Sequence, residues 1–220
     1  MPEAPNDRLA NTSVPIHPDL AARWSPRAFD PDRAVTAEQL TALLEAARWA
    51  ATWGQRQPVR FVVGHKARTR GGQNEPRTRG GQNEPDETFT TIAGLLKRGN
   101  SYARAAGALI LVCADEGSGD DADERTARYA AVDAGAAIAQ LTVEAVSRGL
   151  IAHPMAGFDV DGARAAFVIP EWVRPLAVVA LGWLGDYADV DAAIAERDGR
   201  PRRRLPLAEI AFSGRWGQPR

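Results

Sequence analysis

"TAEQLTALLEAARWAATWGQRQPVRFVVG", residues 36–64, changes its apolar pattern halfway along. Thr36 and Gln39 stand at capping-box spacing, and Leu40, Leu43, Leu44 and Ala47 then recur at helical intervals, which predicts an amphipathic helix beginning at Thr36. After Pro58, "VRFVVG" (59–64) is rich in β-branched residues and reads as a strand. Further along, "ALILVCA" (108–114) and "LAVVALGW" (176–183) read as strands too. Between them "RTARYAAVDAGAAIAQLTVEAVSRG" (125–149) is an alanine-rich run that favours helix, with Gly149 as its stop signal. Its small residues allow close approach of another helix or of a partner subunit. "DVDGARAAFVIP" (159–170) predicts a short helix ending before Pro170. Helices interleaved with short apolar strands support a layered α/β or α+β architecture; periodicity leaves strand order and direction open.

The composition narrows the classes of function. The 220 residues fit one domain with extensions, and 45% hydrophobic against 25% charged residues allows a sizeable core. A net charge of −1 argues against a general nucleic-acid or membrane-surface binder. The first 20 residues have no apolar core of the kind a signal peptide needs, and no apolar run approaches a membrane span, so the expectation is a soluble, cytoplasmic chain. The single cysteine, Cys113, falls inside an apolar run and reads as a buried strand residue. "RTRGGQNEP" occurs at 68–76 and again at 77–85; its Gly, Asn, Pro and Arg content cannot build a core, so it reads as a duplicated loop.

Several chemistries are missing. No GxxxxGK[ST], GxSxG or strand-borne GxGxxG is present, and His17, His65 and His153 are too scattered for a metal site. An enzyme with this sequence would borrow its reactive group from a cofactor.

Four segments then stand out. "RWSPRAF" (23–29) places Arg23, Ser25 and Arg27 together, and "RPRRRLPLAEI" (200–210) carries four further arginines. Guanidinium groups bind phosphate bidentately, so both segments suit an anion, although each also reads as a solvated basic stretch. "ARWAATWGQRQPVRFVV" (47–63) and "GLIAHPMAGFD" (149–159) complete the set. In this order and spacing the four resemble the FMN-dependent nitroreductase family, over roughly residues 17–212. The resemblance implies an α+β fold, a mixed central sheet surrounded by helices, in an intertwined homodimer with FMN sites at the interface. Residues 1–16 would be an N-terminal arm, 17–212 the FMN-binding domain containing the duplicated loop 68–85, and 213–220 a C-terminal tail.

The same resemblance implies roles for individual residues. Arg23 and Ser25 would approach the FMN phosphate and ribityl chain, Arg27 the pyrimidine edge, and Arg202 and Arg204 would complete the phosphate site, with Trp24 counted among the cofactor-binding residues. Thr52, Gln55 and Gln57 would run along the flavin; Gln55 stands where the family has asparagine, and Val59 where it has tryptophan. Asn100 would face the pyrimidine edge, and Pro154, Met155, Ala156 and Gly157 would bring a backbone N–H of Ala156 or Gly157 to flavin N5, with Ala156 replacing a glutamate of many members. The implied activity is NADH- or NADPH-driven ping-pong reduction of nitroaromatics, quinones or activated alkenes, without a metal. A non-catalytic FMN carrier, a specialised flavin reductase or dehalogenase, and a nucleic-acid module using the RTRGG repeats are the alternatives.

Overall fold

In a computed structural model the described residues are 8–68, 83–119 and 123–220. The elements run α1 (Pro18–Ala22), α2 (Ala37–Arg48), β1 (Val59–Arg68), β2 (Asn83–Pro85), α3 (Glu87–Leu95), β3 (Ala108–Asp115), α4 (Glu124–Ser147), β4 (Ile151–Met155), α5 (Val160–Phe167), β5 (Val173–Gly182) and α6 (Ala192–Gly199). The capping box is present in full: Gln39 N donates to Thr36 Oγ1 at 3.1 Å, and Thr36 N to Gln39 Oε1 at 2.9 Å. Gly149, just past α4, adopts φ 73°, the left-handed conformation that ends a helix without a Cβ clash.

The five strands form one sheet in the order β2-β1-β3-β5-β4. Every pairing among them is antiparallel, so the α+β class holds while the mixed sheet of the sequence reading does not appear among the described strands. Central β3 is buried from Ala108 to Ala114, as a strand covered on both faces must be. Leu109, Leu111 and Cys113 pack on one face with Phe89, Ile92, Phe158 and Val178. Ala108, Ile110 and Val112 pack on the other with Leu43, Leu141, Val179 and Leu181. Burial pushes the Cys113 thiol up to about 11, which keeps it protonated and unreactive at neutral pH.

The alanines of α4 explain that second face. Ala130, Ala134, Ala137, Leu141 and Ala145 form one buried stripe at helical spacing, and their small side chains let α4 lie close to α2 and the sheet. In β5 the register with β3 slips at Leu176, between Val112↔Ala177 and Cys113↔Pro175. Pro175 has no N–H to give, and β4 pairs β5 only from Val178 onward, so proline and bulge both fall where β5 has a single neighbour.

The duplicated nonapeptide lies mostly outside the described residues, but its last three, Asn83–Pro85, are not loop. They pair with β1 as Arg68↔Asn83, Ala67↔Glu84 and Lys66↔Pro85. Local propensity opposes a strand there; the long β1 supplies a partner that the composition could not reveal.

Candidate active site

The segment after α1 is held from several sides. Phe29, 4% exposed, bridges to Leu184, while Asp30 N donates to Trp183 O and Gly185 N to Ala28 O. His153 of β4 sits against the segment with Nδ1 3.0 Å from Pro26 O, its ring tilted against Tyr102 at 5.2 Å. Arg27 donates its backbone N–H to Asp198 Oδ2 at 2.6 Å and its guanidinium to Asp198 Oδ1.

Three of the arginines singled out by sequence come together here. Arg202 reaches back to α1 and beyond, donating to Arg23 O at 2.8 Å, to Ala21 O at 3.2 Å and to Arg8 O. The Arg23 guanidinium meets Ser25 Oγ at 3.5 Å, and Arg204 donates to Arg203 O at 2.8 Å. Burial and then the charge of Arg204 lower the Arg23 pKa; burial, Arg23, Arg204 and Arg8 lower that of Arg202. Among the described residues no carboxylate forms an ion pair with Arg23, Arg202 or Arg204. Like charges held together without an acid raise each other's energy, so the cluster is poised for an external anion. Trp24 lies beneath the Arg8 guanidinium, 5.1 Å from the ring centre.

Asn100 and the turn after β4 form a second group. Asn100 Nδ2 donates to Gly157 O at 2.8 Å, and Lys97 N donates to the same oxygen at 3.0 Å. Pro154 and Met155 close β4, Ala156 is exposed and Gly157 half-buried. The N–H groups of Ala156 and Gly157 meet no acceptor among the described residues, which leaves both donors available beside the Asn100 amide. Since His153 packs on Pro26, β4 links this group to the arginine cluster.

The third group stands apart. The loop Thr52–Gln57 is pinned to α4: Trp53 N donates to Asp133 Oδ2 at 3.0 Å, and the Trp53 ring stacks on Tyr129 at 4.9 Å and 13°. Gln55 ends a short 3-10 turn, Trp53–Gln55. Gln57 takes φ 51°, a strained backbone for a residue with a Cβ. Thr52 and Gln57 open onto an apolar groove between α2 and β1, lined also by Leu44, Val59 and Phe61. Among the described residues no hydrogen bond or ion pair joins Thr52 or Gln57 to the other two groups.

Sequence reasoning passed over His153, Tyr102, Asp133, Tyr187 and Asp198. His153 abuts Pro154 and Asp198 precedes the arginine run, so position could have flagged both; Asp133, midway along an alanine-rich helix, carried no such signal. No group of three His, Cys, Asp or Glu among the described residues could hold a metal ion, and no described helix is long and apolar enough to cross a membrane.

An antiparallel sheet between helical layers, with an acid-free arginine cluster beside a strand-end turn of free N–H groups, defines an α+β protein with a donor set chemically suited to an anion. The chain belongs to the Nitroreductase family, whose profile matches residues 20–183. It is 70% identical over 161 residues to an uncharacterized 15.4 kDa protein from the ask 5′ region of Mycolicibacterium smegmatis, covering 73% of this chain and 99% of that one. Among solved structures it is similar to an oxidoreductase containing FMN, with 32% identity, coverage of 94% and 95%, and a TM-score of 0.78. A nitroreductase-like protein of Exiguobacterium sibiricum in complex with FMN shares the fold at 20% identity, coverage of 92% and 99%, and a TM-score of 0.66.

Proposed function

We propose that this chain is an FMN-dependent oxidoreductase that takes electrons from NADH or NADPH and reduces nitroaromatics, quinones or activated alkenes by ping-pong turnover. The observation that carries the reading is the cluster of Arg23, Arg202 and Arg204 with the Ser25 hydroxyl and no acid partner. A phosphate monoester carries up to two negative charges and accepts charge-assisted hydrogen bonds, so it fits this donor set. Bound FMN would supply a two-electron carrier that accepts hydride from the nicotinamide and returns it to the acceptor.

The chain's own residues orient and stabilise. Arg23 and Arg204 hold the phosphate charge, and Ser25 adds a hydroxyl. The Asn100 amide, fixed by its bond to Gly157 O, would offer its remaining polar atoms to the ring. The free N–H of Ala156 or Gly157 would face the reacting edge, where a fixed donor at a site of changing charge is typically worth about 10²–10³ in rate. Pro154 and Met155 hold that turn at the end of β4.

A homodimer fits the separation of Thr52, Gln55 and Gln57 from the other groups: the loop would complete the site of a second copy. Leu205, Leu207, Ile210 and Trp216 are 58–92% exposed beside the arginine run, apolar surface that such a partner would cover.

The deciding experiment is an absorption spectrum of the purified protein followed by anaerobic NADH and NADPH titration. A bound flavin that bleaches supports the oxidoreductase; one that binds without bleaching leaves a flavin carrier; absence of flavin binding by the apoprotein removes the reading.

A further inference from the structure

The segments 23–27 and 198–202 run side by side in opposite directions, tied at two places four residues apart on each. At one end Asp198, on the last turn of α6, meets Arg27. At the other, the Arg202 guanidinium grips the backbone carbonyl of Arg23. The Asp198 side chain is 1% exposed and takes three donors: the Arg27 backbone N–H, the Arg27 guanidinium, and the Tyr187 hydroxyl at 2.8 Å. The Tyr102 ring covers Arg27 at 5.7 Å. Thus the Arg27 charge is matched inside the protein, and Arg202 is engaged by main-chain carbonyls. Arg23 and Arg204 have no comparable internal claim on them.

We propose that Asp198 is a positioning residue. Clamped to Arg27, and seconded by Arg202, it sets the spacing of Arg23 and Arg204, and these two arginines supply the charge that recognises the flavin phosphate. The inference rests on the FMN reading above and divides its arginines into two that bind and two that brace. Arg27 then serves the framework through its backbone N–H and one guanidinium nitrogen.

The clamp has a consequence opposite in sign to simple electrostatics. Removing a carboxylate near an anion site should tighten anion binding by relieving repulsion. If the carboxylate braces the site, its removal loosens binding.

The test uses apoprotein titrated with FMN and with riboflavin, which lacks the phosphate, by flavin fluorescence quenching. Asp198→Asn and Arg27→Gln should each weaken FMN binding about tenfold, leave riboflavin unchanged, and do no further harm when combined, since they disable one device. Arg27→Lys keeps the ion pair and should restore most of the affinity. Tyr187→Phe removes one donor from Asp198 and should give a smaller loss of the same kind; it carries the test should Asp198→Asn apoprotein fail to melt cooperatively. Tighter or unchanged FMN binding in Asp198→Asn overturns the inference, and so does an equal loss for both flavins. Wild-type apoprotein that binds FMN no better than riboflavin overturns the FMN reading itself, a result seen before any variant is made.

Discussion

Replacing Gly157 by alanine would set a methyl group 2.5 Å from Asn100 Nδ2 and 3.5 Å from its Cγ. Gly157 is not among the glycines with positive φ, so its backbone accepts alanine and the conflict is with the amide alone. The amide must swing away, breaking its 2.8 Å bond to Gly157 O. That oxygen keeps the Lys97 N–H at 3.0 Å and is not orphaned. The loss is therefore one neutral hydrogen bond, about 0.5–1.5 kcal/mol. Against it stands a gain of about 0.4–1 kcal/mol, because alanine has fewer unfolded conformations to lose than glycine. The net change in melting temperature should be at most about 2–4 °C. On the proposed FMN reading, affinity should fall further, about tenfold, because the displaced amide would be lost to the ring; tenfold corresponds to about 1.4 kcal/mol. A double-mutant cycle isolates the cause. In an Asn100→Ala background the new methyl meets no amide, so Gly157→Ala should there be neutral or slightly stabilising and should leave FMN affinity where Asn100→Ala put it. Calorimetry on apoprotein and FMN titration supply the four corners. If Gly157→Ala has the same effect with and without Asn100, the clash does not govern this turn and the reasoning fails.

Burial lowers the His153 pKa, with Arg27 adding to the effect against the bond to Pro26. A base depressed in the folded state binds protons better when unfolded, so its contribution is complete above about pH 6.5 and is lost as pH falls through the lowered folded value; melting temperature should drop between pH 7 and 5 more steeply in wild type than in His153→Gln. Gly64→Ala would drive a Cβ to 2.4 Å from the Phe89 backbone where α3 crosses β1, and should cost about 1–3 kcal/mol by chemical denaturation. Deleting residues 77–85 leaves an identical Asn-Glu-Pro ahead of Asp86, able to re-form β2 on β1, so melting temperature and flavin content should hold; a large fall in either means the two copies are not interchangeable. Ala156→Pro removes an N–H that Ala156→Gly keeps, so with FMN bound in both, rapid-mixing measurements should show flavin reduction by NADPH slowed only in the proline variant.

What the sequence determined by itself was local. The capping box at Thr36, the alanine-rich helix α4 with its Gly149 stop, the apolar run of β3 and the helix before Pro170 follow from interactions a few residues apart, where periodicity and propensity act. The arginine motifs were legible for a similar reason: a cation and a hydroxyl two residues apart signal anion chemistry before any fold exists. Tertiary structure decided what required distant partners. The order and antiparallel sense of the strands came from how helices return the chain, and β2 arose only because β1 runs past its neighbours and offers an edge. Above all, local pattern could not say which arginine meets an acid within the fold. Arg23 and Arg27 look alike in "RWSPRAF", yet a carboxylate 171 residues away neutralises Arg27 and leaves Arg23 without an acid. Charge is a property of the residue type; whether that charge is already matched depends on what the fold sets against it.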